Sequence, residues 1–447
     1  MKQILPPHEF AQKLIRTQQN VSDPVRFSHY VLRVPCDEGE LLYHDLTGEL
    51  LLLPMGEDAM ESRDELIRRR FLVPQGFDEY VYTQQVRQLA ELLAKKRTAI
   101  TKFVVFPTTD CNARCLYCYE LGRRRENMSD TVAEDTAAYI IKKSGGAKVN
   151  IQWFGGEPLY NRRAIDVICN RLRDAGQPFH SIMVSNGYLF DEETVHTATE
   201  QWKLDFVQIT LDGMEQIYNK TKAYIYEEGS AYQRVLRNIG LLLDAGVHVE
   251  VRLNMGRGNQ NDLYALADAL AERFAGQKGL TVYCVLLRNF FTDGRAWDGE
   301  NSLGAYDALQ KRLIELGFGK LMYLKREVAV NQCMADNDGS LTILPDGRIG
   351  KCEHESEQNL IGSIYSEEPD AAAVSAWKER IVIPECQDCL FAPTCIRLKQ
   401  CPWHIAGCTE RDRSEMRINL TQKVINTFER EKNAGKSFKP ISKETPT

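Results

Sequence analysis

An α/β architecture is predicted, with a repeated strand–helix core between about residues 100 and 320, and three observations predict it. Strand-like runs at 102–107, 149–154, 180–185, 205–211, 247–254 and 280–287 alternate with helical runs near 129–143, 162–174, 191–202, 231–245, 260–274 and 303–317. Before them, residues 20–98 read as short strands and two helices, a small α+β segment. Past Lys325 the alternation stops, and seven of the thirteen cysteines fall within 333–408.

Taken in order, His29-Tyr30-Val31-Leu32-Arg33-Val34, Glu40-Leu41-Leu42-Tyr43-His44 and Gly48-Glu49-Leu50-Leu51-Leu52-Leu53 are strand-like, with turn residues between them. Two helical patterns flank Phe71-Leu72-Val73. In the core, Val235, Leu236, Ile239, Leu242 and Leu243 mark one face of a helix over 231–245. Gly176 and Gly246 fall where helix C-caps belong, and Ser129 or Asp130 can start the first core helix. Six βα units imply a parallel sheet, because such crossovers are right-handed and lay helices on one face. Six are too few to close an eight-stranded barrel, so a curved, partly open (β/α)6 barrel is expected. Beyond Lys325, glycines, cysteines and short hairpins predict a segment held by metal rather than by an apolar sheet. Residues 410–430 read as a helix, and Lys432–Thr447 as a polar, mobile end.

The 447 residues suffice for two or three domains, and 43% hydrophobic with 26% charged residues is ordinary for a globular protein. A net charge of −6 lacks the basic excess of a general nucleic-acid binder. The run Arg123-Arg124-Arg125 reads as a solvated loop or a local anion contact. No apolar stretch reaches the ~18–20 residues of a membrane span. The start, Met1-Lys2-Gln3-Ile4-Leu5-Pro6-Pro7, has no signal-peptide pattern, so a cytoplasmic protein with no membrane partner is expected. Structural disulfides are rare in that compartment, which turns the thirteen cysteines toward metal binding. Cys36, Cys169 and Cys284 are scattered; the latter two lie in helical and strand-like runs and read as core cysteines.

The chemistry concentrates in Cys111-Asn112-Ala113-Arg114-Cys115-Leu116-Tyr117-Cys118, a C-x3-C-x2-C loop after the apolar run Phe103-Val104-Val105-Phe106. Three thiolates can hold a cubane iron–sulfur cluster and leave its fourth iron open. A zinc site would need a fourth protein ligand, and the next histidine, His180, is over sixty residues on. Gly155-Gly156-Glu157-Pro158 follows the second strand; glycines allow close backbone approach to a ligand, and Glu157 can pair with an ammonium group. Ser185-Asn186-Gly187 ends the third strand and Thr210-Leu211-Asp212-Gly213 the fourth, each a turn or a ligand contact. Arg252 and Asn254 alternate on the fifth strand and share a face.

Cysteine spacing and Gly-Gly-Glu-Pro placement together resemble the radical S-adenosylmethionine (radical SAM) enzymes. That resemblance implies a [4Fe-4S] cluster on Cys111, Cys115 and Cys118 that binds S-adenosylmethionine, with Gly155, Gly156 and Glu157 at its methionine amine. It further implies a ribose contact from Ser185, a carboxylate and ribose contact from Arg252 and Asn254, and an adenine contact near Tyr117. Reductive cleavage would then give a 5′-deoxyadenosyl radical that removes a substrate hydrogen, with a flavodoxin- or ferredoxin-type protein as reductant.

The later cysteines are similar to a SPASM domain. Thirteen residues separate Cys333 from Gly347 and four separate Gly347 from Cys352; Cys386-x2-Cys389-x5-Cys395, Cys401 and Cys408 follow. The resemblance implies two auxiliary [4Fe-4S] clusters, making three in all. Cys386, Cys389, Cys395 and Cys408 would hold one; Cys333, Cys352 and Cys401 the other. Two departures stand out. Five residues separate Cys395 from Cys401 where three are usual, and Gly339 occupies a position that is cysteine in some relatives. The fourth iron of that second group is then open to a substrate thiolate or held by Glu353 or His354. Glu353 is also the positional candidate for a catalytic group.

Residues 29–75 resemble the small peptide-recognition domains of peptide-maturing relatives, in which a leader peptide adds as a strand to a sheet edge. The expected division is therefore 1–98 (peptide recognition), 99–324 (partial radical SAM barrel), 325–420 (SPASM) and 421–447 (helix end and tail). The expected activity is maturation of a ribosomally synthesised peptide by a thioether or carbon–carbon cross-link. Formylglycine formation in a sulfatase and a non-catalytic electron carrier are the alternatives; the amine site of Glu157 speaks against the second.

Overall fold

A computed structural model describes residues 1–9, 11–12, 24–93, 99–226, 228–256, 258–287, 300–318, 322–324, 333–354, 359–402 and 408–441. The first part of the chain forms β1 (Lys2–Leu5), β2 (Val25–Phe27), β3 (Val31–Cys36), β4 (Gly39–His44), β5 (Glu49–Pro54) and β6 (Leu72–Pro74), with helices Arg63–Arg68 and Glu79–Leu93. The three expected strands β3, β4 and β5 are antiparallel, with Leu32 opposite Tyr43 and Leu42 opposite Leu51. Leu41 and Leu42 are both buried because this sheet is covered on its two faces by different clusters.

The core follows the expected strand order. Strands β7 (Lys102–Thr108), β8 (Val149–Gly155), β9 (Phe179–Ser185), β10 (Leu204–Leu211), β11 (His248–Met255) and β12 (Leu280–Leu286) lie side by side in chain order, every neighbouring pair parallel. Six crossover helices match the predicted runs: Asp130–Ser144, Arg162–Asp174, Glu192–Glu200, Ala231–Asp244, Gln260–Arg273 and Glu300–Glu315. The helix Ala231–Asp244 buries Val235, Leu236, Ile239, Leu242 and Leu243, the face its periodicity marks. Ser129 caps Asp130–Ser144 by accepting from the Val132 amide. A further helix, Glu215–Lys222, follows Gly213 and was not read from the sequence.

The chain past Lys325 departs from expectation. Strand β13 (Ser340–Ile343) adds parallel to β7, with Leu341 opposite Phe103, and β14 (Arg348–Gly350) and β15 (Gly362–Ser363) extend the sheet to nine strands. All four residues of β13 are buried, so the main sheet does extend into this cysteine-rich stretch. Its first residues, 325–332, lie outside the described residues.

The tail also differs from its reading as mobile from Lys432. The helix runs Glu410–Asn433, and β16 (Lys439–Pro440) pairs antiparallel with β1, Lys2 opposite Pro440. Val424 and Phe428 of that helix pack with Leu32, Val34, Leu41 and Leu50 of the N-terminal sheet. Chain end and chain start thus share one apolar core, and residues 442–447 lie outside the described residues. Among the described residues, no helix is long and apolar enough to cross a membrane.

Candidate functional site

Parallel strands aim their carboxyl ends at one side of a sheet, where ligands of such folds gather. Here that side holds a cavity of about 290 Å³, lined by Cys111, Cys115 and Cys118 from the loop after β7. Gly155 and Gly156 from β8, Ser185 from β9, and Arg252 and Asn254 from β11 also line it, as do Tyr117, Glu353 and His354. Every candidate for the cofactor site except the fully buried Glu157 therefore faces one space.

The two glycines serve a purpose the sequence did not show. The Gly156 amide donates to Thr108 O (3.2 Å) and the Glu157 amide to Asp110 O (2.9 Å). A Cβ on Gly155, at φ +113°, would lie 2.2 Å from Thr108 O, and one on Gly156 would lie 2.1 Å from Asp110 O. Close approach is thus to the backbone of the cysteine loop itself, which the glycines hold against β8. Asp110 Oδ1 then accepts from the Cys111 amide at 2.8 Å and starts the loop.

Glu157 is fully buried. Its Oε1 accepts from Ser185 Oγ (2.9 Å) and the Leu159 amide (3.2 Å), and its Oε2 from the Asn186 amide (2.8 Å). Burial pushes its carboxyl up to about 7, against the pull of those hydrogen bonds. All three partners are uncharged donors, which leaves a buried carboxylate suited to a cation. Ser185, expected at a ribose, lines the cavity, donates its hydroxyl proton to Glu157 and accepts from the Gly187 amide (3.0 Å), so it also orients the carboxylate.

On β11, Arg252 Nε and Asn254 Oδ1 are buried without a hydrogen-bond partner. Burying such groups unpaired costs about 1–3 kcal/mol each, so the cavity wall presents one donor and one acceptor prepared for a ligand. Tyr117 does not stand free: its hydroxyl donates to Asp212 Oδ1 (2.7 Å) and accepts from Lys222 Nζ (2.9 Å). Lys222 Nζ in turn pairs with Asp212 Oδ2 at 3.1 Å, both side chains nearly inaccessible. Neither Asp212 nor Lys222 was among the predicted site residues. Asp212 directly follows β10, in a stretch the sequence offers as a turn or a ligand contact; Lys222 sits on the unforeseen helix.

Burial raises the three loop thiols, Cys111 to about 12 and Cys118 to about 11, with Glu157 adding to the rise at Cys111. Binding to iron would remove those protons. Asn186 Nδ2 reaches Asn112 Oδ1 (2.7 Å) and Cys111 Sγ (3.8 Å), closing the loop from the β9 side. Among the described residues, no three His, Cys, Asp or Glu side chains are arranged to hold a single metal ion; a cubane binds each thiolate at a different iron. The three thiols, the buried Glu157 carboxylate and the unpartnered Arg252 and Asn254 atoms fit a cluster whose partner carries an amine and a carboxylate.

The remaining cysteines fall into two neighbourhoods. Burial raises the thiols of Cys333 and Cys352; Glu353 and Cys401 add to the rise at both, and Cys333 adds to it at Cys352. Cys389 feels Cys395, Cys408 and Cys386 in the same way. Glu353, its own carboxyl raised by burial, lines the cavity and lies beside the first of these groups. His354 is pushed down to about 3 by burial, and its ring meets Tyr119 edge-on at 4.8 Å and Phe154 at 5.8 Å. An aromatic wall therefore separates the cysteine loop from the β13–β14 side.

Comparisons with known proteins bear on the same region. Residues 105–270 match the family described as the radical SAM superfamily. The Fe-coproporphyrin III synthase of Methanosarcina barkeri is 26% identical over 165 residues, 37% of this chain and 39% of that protein. The chain spans less than half the length of the curated relatives it matches. Among solved structures, anSMEcpe with bound AdoMet and Kp18Cys peptide aligns with TM-score 0.56 at 14% identity, covering 74% of this chain and 99% of that one. SuiB of Streptococcus suis bound to precursor peptide SuiA aligns with TM-score 0.51 at 12% identity, covering 86% and 95%. At such identities the two structures speak to fold. Family match, strand order and the converging cysteine loop agree, and residues 105–270 form a radical SAM domain.

Proposed function

We propose that this chain is a radical SAM maturase that removes a hydrogen from a ribosomally synthesised peptide and forms a thioether or carbon–carbon cross-link. The observation that carries the proposal is the single cavity shared by Cys111, Cys115, Cys118 and Glu353, with Glu157 buried against its lining residues Ser185 and Asn186 and the Cys333, Cys352 and Cys401 neighbourhood behind Glu353. Cys111, Cys115 and Cys118 would hold the cluster, and Glu157, Arg252 and Asn254 the amine and carboxylate of S-adenosylmethionine. When bound, that pair supplies one-electron chemistry able to take hydrogen from an unactivated carbon. The chain's own part is to orient: Ser185 and the Asn186 amide fix Glu157, and Tyr119, Phe154 and His354 exclude water from one wall.

Two auxiliary clusters, on Cys333, Cys352 and Cys401 and on Cys386, Cys389, Cys395 and Cys408, complete the reading; the two thiol neighbourhoods support it. So does the peptide partner named for each aligned structure, anSMEcpe and SuiB. The division into units 1–98, 99–324, 325–420 and 421–447 is proposed with it, modified by the packing of the last helix on the first sheet. The edge strand β3, paired only with β4 among the described strands, is the proposed seat of the leader peptide. A flavodoxin- or ferredoxin-type protein is the proposed reductant, and the cytoplasm the proposed compartment.

Anaerobic reconstitution tests the proposal. About twelve irons per chain, 5′-deoxyadenosine release with dithionite, and loss of two hydrogens from a co-encoded peptide are the expected results. Bound zinc with no 5′-deoxyadenosine would overturn it. Peptide oxidation with loss of sulfur would move the assignment to formylglycine chemistry.

A further inference from the structure

The helix Glu215–Lys222 ends against the cysteine loop, and its last carbonyls grip the residues on either side of Cys115. The Arg114 amide donates to Lys222 O (2.9 Å) and Ala223 O (3.1 Å), and the Leu116 amide to Thr221 O (3.3 Å). Ala223 takes a left-handed φ of 45° to turn the chain there, a strained choice for a residue with a Cβ. From the same turn Lys222 sends its ammonium beneath the loop. Its side chain is 4% exposed and that of its partner Asp212 1%. The Tyr117 hydroxyl bridges the two, at 2.9 Å from Lys222 Nζ and 2.7 Å from Asp212 Oδ1.

A buried ion pair is weak evidence for stability, since apolar residues of similar volume often serve the fold as well or better. Its placement is the informative part. Lys222 lines the same cavity as Cys111, Cys115 and Cys118, and the hydroxyl its ammonium holds belongs to Tyr117, which lies between Cys115 and Cys118 in the loop. The loop thus has beside it a fixed ion pair that little water can screen, its cationic member held to the loop by both backbone and side chain.

We infer that Lys222 is a positioning residue whose buried ammonium, trimmed by Asp212 and steered by Tyr117, sets the electron affinity of the group held by Cys111, Cys115 and Cys118. The inference rests on the proposed cluster at those cysteines. A cluster on three thiolates is anionic, and reduction adds one electron with no atom transferred. A cation held beside one thiolate therefore favours the reduced form, and the Asp212 carboxylate opposes it.

The test is a redox titration of the reconstituted full chain, following the electron paramagnetic resonance signal that changes when S-adenosylmethionine is added. Lys222→Met leaves Asp212 uncompensated and lowers the midpoint potential. Asp212→Asn leaves Lys222 uncompensated and raises it. Each shift should change the reduced-to-oxidised ratio at fixed poise by at least about tenfold, about 59 mV for one electron, and the double variant should return toward the parent. Unshifted potentials, or two shifts of the same sign, at parental iron content would overturn the inference. Should Lys222→Met not accumulate, Asp212→Asn decides alone: a raised potential supports the inference, an unchanged or lowered one overturns it. Absence of any S-adenosylmethionine-responsive signal in the parent chain would instead sink the cluster reading beneath it.

Discussion

At the scale of single residues, the site is governed by contacts that tolerate no added atom. Gly156 is the sharpest case, because a Cβ there meets the Asp110 carbonyl, which has no flexible side chain to yield. Gly156→Ala should therefore cost about 1–3 kcal/mol, and iron bound at the first cluster should fall, measured as iron per chain beside a thermal unfolding curve. Glu157 gives a pH prediction. In the chain without cofactor its carboxyl stands at about 7, above its ordinary 4.5, because burial disfavours the charge. The folded state then binds the proton more tightly than the unfolded one. The cost is absent below about pH 4.5, grows to about pH 7 and is full above it, amounting to about 3 kcal/mol. Relative to the parent, Glu157→Gln should gain about that much stability between about pH 4.5 and pH 8, read by denaturant unfolding at both values. The same variant should weaken S-adenosylmethionine binding at least about tenfold, the worth of a hydrogen bond to a charged group. The sequence marked Cys111, Cys115, Cys118 and Glu157 as candidates because each stands at a fixed spacing or a strand end, and the three cysteines do line one cavity. It hid Lys222 and the bond from Ser185 to Glu157, because both depend on partners that meet only in three dimensions: Asp212 is ten residues from Lys222, and Glu157 twenty-eight from Ser185.

Elements were legible in proportion to their length and periodicity. The helix Ala231–Asp244 announced its buried face, whereas Glu215–Lys222 carries only Ile217 and Tyr218 as apolar residues, side by side and without a repeat. Strand β13 escaped notice because four residues cannot show an alternation, and because its partner β7 lies more than two hundred residues earlier. The last helix was seen, but its polar sequence gave no hint of its seat. It uses few apolar contacts, and Phe428, 1% exposed among Leu32, Val34, Leu41 and Leu50, is the largest. Phe428→Ala should destabilise the N-terminal sheet by about 3–5 kcal/mol. Amide hydrogen exchange would show it as faster exchange in β3 to β5 with β7 to β12 unchanged; equal acceleration in both sheets would refute the assignment of that helix to the first sheet.

Across the whole molecule, the N-terminal unit and the last cysteines are mechanically one. Arg87, on the helix Glu79–Leu93, donates to the carbonyls of Ala392, Pro393 and Cys395, within the loop that joins Cys389 to Cys395. Thr394 Oγ1 of that loop donates to the buried Asp45 at 2.7 Å, and His29 stands 3.3 Å from Asp388. Arg380 holds the same Cys395 carbonyl and faces Asp336 at 3.7 Å, whose carboxylate accepts from the Cys333 amide. A route of polar contacts therefore runs from the first helices through one cysteine neighbourhood to the other. Nothing in the sequence could show it, since about three hundred residues separate Arg87 from the carbonyls it holds. Arg87→Met removes the guanidinium and leaves three part-buried carbonyls without their donor, each a loss of about 1 kcal/mol or more. The loop between Cys389 and Cys395 should loosen while the cysteine loop after β7 is untouched. After anaerobic reconstitution, the variant should carry about four fewer irons per chain yet release 5′-deoxyadenosine at the parental rate without peptide. Full iron content would show that the loop holds its shape without the first domain, and lost 5′-deoxyadenosine release would show that the two ends of the molecule are coupled more tightly than this contact route implies.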